Sequence, residues 1–324
     1  MATTLPEMTR RIDDAFVHTW YEIRPTAIDN ILNATPVMAA LRSMGCFKSQ
    51  VGGEYITRTI RYGIKTATAI RKGSVLAQGE DPIETMARWT WRYFASHVQR
   101  SLIDDQKNAG TAKIKSLVET KTAAARDALT QKMEGQFLAA EVTDETGDEF
   151  QGLNDIIPAF ANRATGTFGA LARSNAWWVP KYKATTAPIP VNLLDDMKNL
   201  YNTIGDNIEP PNLIIFDQGL FETYEDYALD ASQIIKDAAT KLADLGFTVL
   251  RFKGVPIIWT SNMTANNGLF LNTKYIDVVY DPNVWFDSTG WKPIPLQLER
   301  IMHIINTMNT VCSSLRRQGR LYTA

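Results

Sequence analysis

The chain has 324 residues, of which 45% are hydrophobic and 21% charged, and its formal net charge is -1. That length and apolar content can bury a sizeable core as one large domain or two of medium size, and the charge balance excludes an overall pull toward nucleic acid or anionic lipid. Its two cysteines, Cys46 and Cys312, stand outside any CxxC or Cys/His spacing, which argues against a disulfide framework or zinc site and fits a reducing compartment.

The first residues, "MATTLPEMTRRIDDAF", lack the apolar core of a signal peptide, and no apolar run reaches the length of a bilayer span, so a cytosolic protein is expected. The opening segment mixes short amphipathic helical stretches with breaks at Pro25 and Pro36 and reads as an arm of short helices. At Gly52 the pattern changes. "GGEYITRTIRYG" carries the Tyr, Ile and Thr of a strand, and "IETMARWTWRYFASHV" places Trp89, Trp91 and Tyr93 on one face at period two. With the polar, glycine-marked stretch between them, these predict a long hairpin with a wide tip.

Between residues 55 and 76 this hairpin has five basic residues, Arg58, Arg61, Lys65, Arg71 and Lys72, and no acid. Its first strand puts Ile56, Arg58, Ile60 and Tyr62 on one side, which is no clean apolar face. A lone hairpin is marginal in water, so this one is expected to lie against something else. "SLIDDQKNAGTAKIKSLVETKTAAARDALTQKMEGQFLAAE" then predicts a long helix, with Ser101 and Asp104 as its cap, a kink or break near Gly110, and Ile114, Leu117, Val118, Ala125, Ala128, Leu129 and Met133 at helical spacing.

The stretch after Val142 marks a boundary. Beyond it, "VNLLDDMKNLYNTIG" reads as a helix, "PNLIIFD" as a buried strand, "QGLFETYEDYALD" as a helix, and "FTVLRFKGVPIIWTSN" as two strands turned at Lys253 and Gly254. The remainder alternates like strands. There is no tandem repeat.

Chemistry is sparse. No phosphate loop, HExxH, GxSxG or GxGxxG occurs, and His18, His97 and His303 read as structural or surface residues. In "LIIFDQG", Asp217 ends a hydrophobic strand at the entry to a helix. An acid there suits a metal-dependent α/β hydrolase or phosphotransferase, which is the enzyme alternative, or else a helix cap. Arg316, Arg317 and Arg320 in "LRRQGR" could meet phosphate or a nucleic-acid backbone, or solvate a surface. No metal or cofactor is expected.

The order of parts, a basic hairpin, a long helix, an α/β unit and a return to long strands, resembles the tailed-bacteriophage major capsid protein of the HK97-like fold. "VGGEYITRTIRYG" looks like that family's entry into its extended loop, and "ARWTWRYFASHVQRSLIDDQKN" like the exit strand running into the spine helix. "GTFGALARSNAWWVPKY" resembles the start of the axial domain, and "FKGVPIIW", "GLFLNTKY" and "SSLRRQGRL" its late strands and C-terminus. The resemblance covers most of the chain from about residue 27 onward.

It implies an α+β fold with an arm (residues 1–50), an extended loop (51–100), a peripheral domain (101–145 and 285–324) and an axial domain (146–284). It also implies a non-enzymatic subunit of an icosahedral shell around phage double-stranded DNA, made and assembled in the bacterial host cytoplasm and residing in the virion. The partners implied are copies of itself in hexamers and pentamers, separate scaffolding, portal and decoration proteins, and weak non-specific contact with packaged DNA, with no membrane. No long helical scaffold precedes the hairpin, so a separate scaffold or none is implied. Lys65 and Lys72 lie where a cross-linking lysine could sit, without an identifiable acceptor asparagine.

The five hairpin cations would then contact a neighbour, pairing with acids on its spine helix or in "EVTDETGDE". Trp89, Trp91, Trp177 and Trp178 would be interface or core anchors. If Trp177 and Trp178 are extended, one faces the chain's own core and the other a neighbour; through a bend, both can fill one core.

Overall fold

The computed structural model describes residues 35–65, 67, 69–73, 82–101, 111–139, 148–185, 189–206, 208–230 and 250–323. The arm before residue 35 with His18, the expected cap at Asp104, the break near Gly110 and the acidic stretch 141–147 lie outside these residues.

In chain order come α1 (Pro36–Ser43), β1 (Phe47–Ser49), β2 (Tyr55–Arg61), β3 (Glu84–Thr90), β4 (Arg92–Ser101) and the 27-residue α2 (Thr111–Phe137). They are followed by α3 (Leu153–Ile156), β5 (Thr167–Phe168), β6 (Leu171–Ala172), β7 (Lys181–Thr185), α4 (Ile189–Gly205), β8 (Leu213–Phe216) and α5 (Gln218–Asp230). The chain ends with β9 (Leu250–Phe252), β10 (Val255–Trp259), β11 (Asn267–Leu271), β12 (Ile276–Tyr280), β13 (Asp287–Ser288), β14 (Lys292–Pro293), β15 (Glu299–Cys312) and β16 (Gly319–Thr323).

Two six-stranded sheets organise the chain. In the first, β15 is the axis: β4 pairs antiparallel with it over ten residues, from Ser101 opposite Glu299 to Arg92 opposite Met308. β12, β13 and β14 pair successive stretches of the same strand, and β1 adds in parallel to β12. Ser101 therefore ends a strand rather than capping the long helix. The second sheet runs β7-β16-β11-β8-β10-β9. All four residues of β8 are buried because Ile214 and Phe216 face α4 and α5 while Leu213 and Ile215 join the main core. Lys253 and Gly254, with φ of 49° and 81°, turn β9 into β10 as a two-residue hairpin of the primed type, whose twist suits the strands.

Four strands fall across the division drawn from the sequence: β1, within the arm 1–50, and β4, within the loop segment 51–100 but for Ser101, both belong to the first sheet. β12, within segment 146–284, belongs to the first sheet, and β16, within segment 285–324, belongs to the second. The 3-10 turns at Thr273–Tyr275 and Leu315–Arg317 carry the chain from one sheet to the other. Gln318 ties the crossing together: its side chain accepts from the Asn272 N–H at 2.8 Å and donates to the Asn272 carbonyl at 3.1 Å, as a strand backbone would.

Residues 35–49, which the sequence pattern assigns to a loose arm, are part of the core. Val37, Met38, Ala40 and Leu41 are fully buried, and Pro36 occupies the first turn of α1, where its missing N–H costs nothing. Thr35 gives α1 no side-chain cap. Glu134 of α2 does so instead: its two carboxylate oxygens accept from the N–H groups of Val37 (2.9 Å) and Met38 (3.1 Å). The buried face of α2 thus alternates apolar Ala125, Leu129, Met133 and Phe137 with polar Thr122, Arg126, Thr130 and Glu134, while Ala128 faces solvent.

Burial pushes the Glu134 carboxyl above its ordinary value of 4.5, more than the two amide donors pull it down. A carboxyl with a raised folded-state pKa binds protons more tightly in the folded protein, so its contribution is full below the ordinary value and is lost as pH rises through the raised one. Glu134→Gln is expected to flatten the decline in stability from pH 4.5 upward, measured by urea denaturation. Glu134→Ala, which orphans both amides, is expected to cost about 1–3 kcal/mol; an unchanged midpoint would remove Glu134 from this role.

Candidate subunit-contact surface

β2 and β3 pair from Tyr55 opposite Thr90 to Arg61 opposite Glu84. Ile56, Ile60, Ala87 and Trp89 are buried in the chain's own core, so the base of the hairpin is an integral part of it, contrary to the reading of a strand unsuited to burial. Arg58 lies between the two isoleucines and reaches Asp277 of β12 at 3.3 Å. Both side chains are about a quarter to a third exposed, 31% and 24%, so this pair contributes roughly 0 to 1 kcal/mol. Of the five expected contact cations, Arg58 is therefore engaged within its own chain.

Arg61, Lys65, Arg71 and Lys72 are exposed, and among them stand Ile64 at 89% and Ile70 at 63% exposure, with Met86 at 62% on β3. Large exposed apolar side chains interspersed with cations make this stretch a candidate contact surface.

The tryptophans fix the hairpin's base. Trp89 is buried edge-to-face on Phe168, with ring centroids 5.7 Å apart, and its indole lies where a Cβ on Gly169 (φ +62°) would come within 2.6 Å. Only glycine permits that approach. Trp91 sits in a one-residue gap between β3 and β4 and donates from its indole N–H to the Gly53 carbonyl at 2.8 Å. Burial falls on Ala87 and Trp89 in β3 but on Arg92, Phe94 and Val98 in β4, so the gap flips the face. Trp89 and the 66%-exposed Tyr93 therefore do not share a side.

Trp177 and Trp178 are not extended. They occupy a 3-10 turn, Ala176–Trp178, with the rings 5.6 Å apart. Trp178 is buried and donates to the Phe168 carbonyl at 3.0 Å. Trp177, half-buried, stacks on Tyr62 just past the end of β2, at 4.6 Å and 18°. The bend resolves the two alternatives left by the sequence: one ring fills the core and the other holds the hairpin of the same chain.

The C-terminal arginines separate. Arg320 is buried, donating to Asn267 (2.8 Å), Asn154 (3.3 Å) and the Ile157 carbonyl (3.1 Å). Arg317 donates to the Gly205 carbonyl at the end of α4 at 3.2 Å and lies 3.8 Å from Glu209, where a cation offsets the helix's negative end. Arg316 is exposed.

Asp217 is buried and accepts from the Gly219 N–H at 3.2 Å, which is the helix-cap arrangement for α5. Among the described residues no group of three His, Cys, Asp or Glu could hold a metal. His97 and His303 sit opposite each other across β4 and β15. Cys46 and Cys312 are free and buried, and burial pushes both thiols up to about 12, so they stay protonated and unreactive. Among the described residues no helix is long and apolar enough to cross a membrane.

The architecture is the HK97-like capsid fold. The chain is similar to the capsid chain of cyanophage A-1(L), with a TM-score of 0.64, 16% identity, and coverage of 90% of this chain and 92% of that one. It is also similar to the capsid chain of an empty gene transfer agent particle (TM-score 0.57, 14% identity, 87% and 96% covered) and to a chain of Mycobacterium phage Bobi (TM-score 0.52, 10% identity, 87% and 90% covered). No family model and no curated sequence matches the chain.

Truncating the two adjacent tryptophans should separate their roles. Trp178→Ala is expected to cost about 3–5 kcal/mol in urea denaturation. Trp177→Ala should cost less, and should raise hydrogen exchange in β2 while the second sheet stays protected; equal losses from both, with no change in β2, would contradict the division.

Proposed function

We propose that this chain is a major capsid subunit that self-assembles into the icosahedral head of a tailed phage or a phage-like particle. The observation that carries this reading is the agreement of fold over nearly the whole length of both chains with capsid subunits. A structural role, rather than catalysis at Asp217, accords with the capping geometry of that residue.

In this reading the first sheet with α2 is the peripheral domain and the second sheet with α4 and α5 the axial domain. Copies contact one another head to tail around pentameric and hexameric rings. The hairpin beyond its clamped base lies across the adjacent subunit, where Ile64, Ile70 and Met86 supply apolar area and Arg61, Lys65, Arg71 and Lys72 meet acids. Each exposed ion pair contributes roughly 0 to 1 kcal/mol, but a ring repeats them, and their main effect is on register and specificity. Separate scaffolding, portal and decoration proteins, and weak contact with packaged DNA, complete the partners. Assembly takes place in the host cytoplasm and the product resides in the virion.

Negative-stain electron microscopy with light scattering at several concentrations should give rings, tubes or closed shells. A monomer at every concentration, alone and with coexpressed head proteins, would sink the proposal. Reversing Arg61 and Lys65 to Glu together is expected to reduce particle yield without lowering subunit stability; normal shells from that variant would count against the hairpin contact.

A further inference from the structure

A groove of about 470 Å³ opens between the end of β2, the Trp177 turn, the C-terminal end of α4 and the turn before β16. Its charged lining is Arg61, Lys181, Arg316, Arg317 and Asp206. Arg317 is already engaged by Gly205 and Glu209. The side chains of Arg61, Lys181 and Arg316 have no hydrogen-bond or ion-pair partner among the described residues. Three cations thus face a single carboxylate, Asp206, in a recess where the low-dielectric walls concentrate their field. The rest of the lining is largely hydroxyl-bearing, with Thr59, Thr203, Ser313 and Ser314. Such a recess suits an acidic, hydroxyl-rich peptide better than an apolar one.

The chain contains such a peptide. Residues 141–149, "EVTDETGDE", have five acids, two threonines and no base, and of the acids Glu149 pairs with Lys132 at 2.7 Å. A single-stranded nucleic acid is the poorer fit, because it needs free aromatic faces on which bases stack. Of the four aromatic side chains that line the groove, Tyr62 and Trp177 are stacked on each other, Trp178 is buried, and Tyr275 carries the Lys274 ammonium over its ring at 5.5 Å. We infer that the groove at the hairpin base receives the acidic stretch 141–149 of a neighbouring copy of this chain. The inference rests on the shell reading above and names one contact within it.

Two measurements on the full-length chain test it. The first is independent of assembly: a synthetic peptide of residues 140–150 is titrated at low salt into unassembled protein, followed by fluorescence anisotropy. Binding is expected, with loss of binding for Arg316→Glu and for a peptide carrying Asn and Gln in place of its acids. No binding, or binding that Arg316→Glu leaves unchanged, overturns the groove. So does preferential capture of a DNA oligonucleotide over the peptide.

The second measurement is particle yield. Arg316→Glu and the pair Asp144→Lys with Glu145→Lys should each reduce it while thermal melts stay unchanged. Mixing the two altered chains should restore it in part, because a groove of either chain meets a segment of opposite charge wherever its neighbour is the other chain. A mixture as defective as its components, or restoration only when all changes are in one chain, overturns a contact between copies. Peptide binding without particles from the unaltered chain would sink the shell reading and not the groove; normal particles without peptide binding would do the reverse.

Discussion

The ten-residue antiparallel ladder between β4 and β15 is the constraint on which the rest of the fold depends. It joins residues about two hundred positions apart, Ser101 to Glu299 at one end and Arg92 to Met308 at the other. Because β12, β13 and β14 take the opposite edge of β15, the backbone groups of this strand are satisfied on both sides along most of its length. Its burial deepens toward Cys312, where α2, α1 and the second sheet converge on the same core. β3 runs into β4 with one residue between them, so the ladder also sets where the hairpin leaves the body.

Polar side chains then fasten elements that apolar packing alone would leave free to slide. Glu134 caps α1 from α2, Gln318 continues the ladder where the chain changes sheets, and Asn309 accepts from Gln151 and donates to the Thr90 carbonyl at the hairpin's end. Each satisfies backbone groups that would otherwise be buried without partners, a loss comparable to about 1–3 kcal/mol apiece. Hydrophobic contact is non-directional, and these bonds supply the direction.

The same division governs the hairpin. Its base is rigid because Ile56, Ile60 and Trp89 are buried and Trp177 stacks on Tyr62. Beyond Arg61 the apolar and basic side chains turn outward. A base fixed in this way lowers the ordering entropy lost in any contact that the outward side chains make.

By itself the sequence determined the local elements whose signals are periodic or carry turn chemistry. The first hairpin strand, the helix 218–230 and the turn at Lys253 and Gly254 are where the pattern puts them, while the second hairpin strand stops at Thr90 and the long helix is described from Thr111; the order of parts pointed to the capsid fold. Tertiary structure alone decided which sheet β4, β12 and β16 join, that residues 35–49 are core, that Trp91 reverses the strand's faces, and that Arg58 and Arg320 are engaged within the chain. Periodicity reports how a segment partitions between water and an apolar interior, which is a local property. The partner of a buried Glu134 or of an outward Arg61 depends on residues brought close by pairing across hundreds of positions, and the sequence carries no local mark of it.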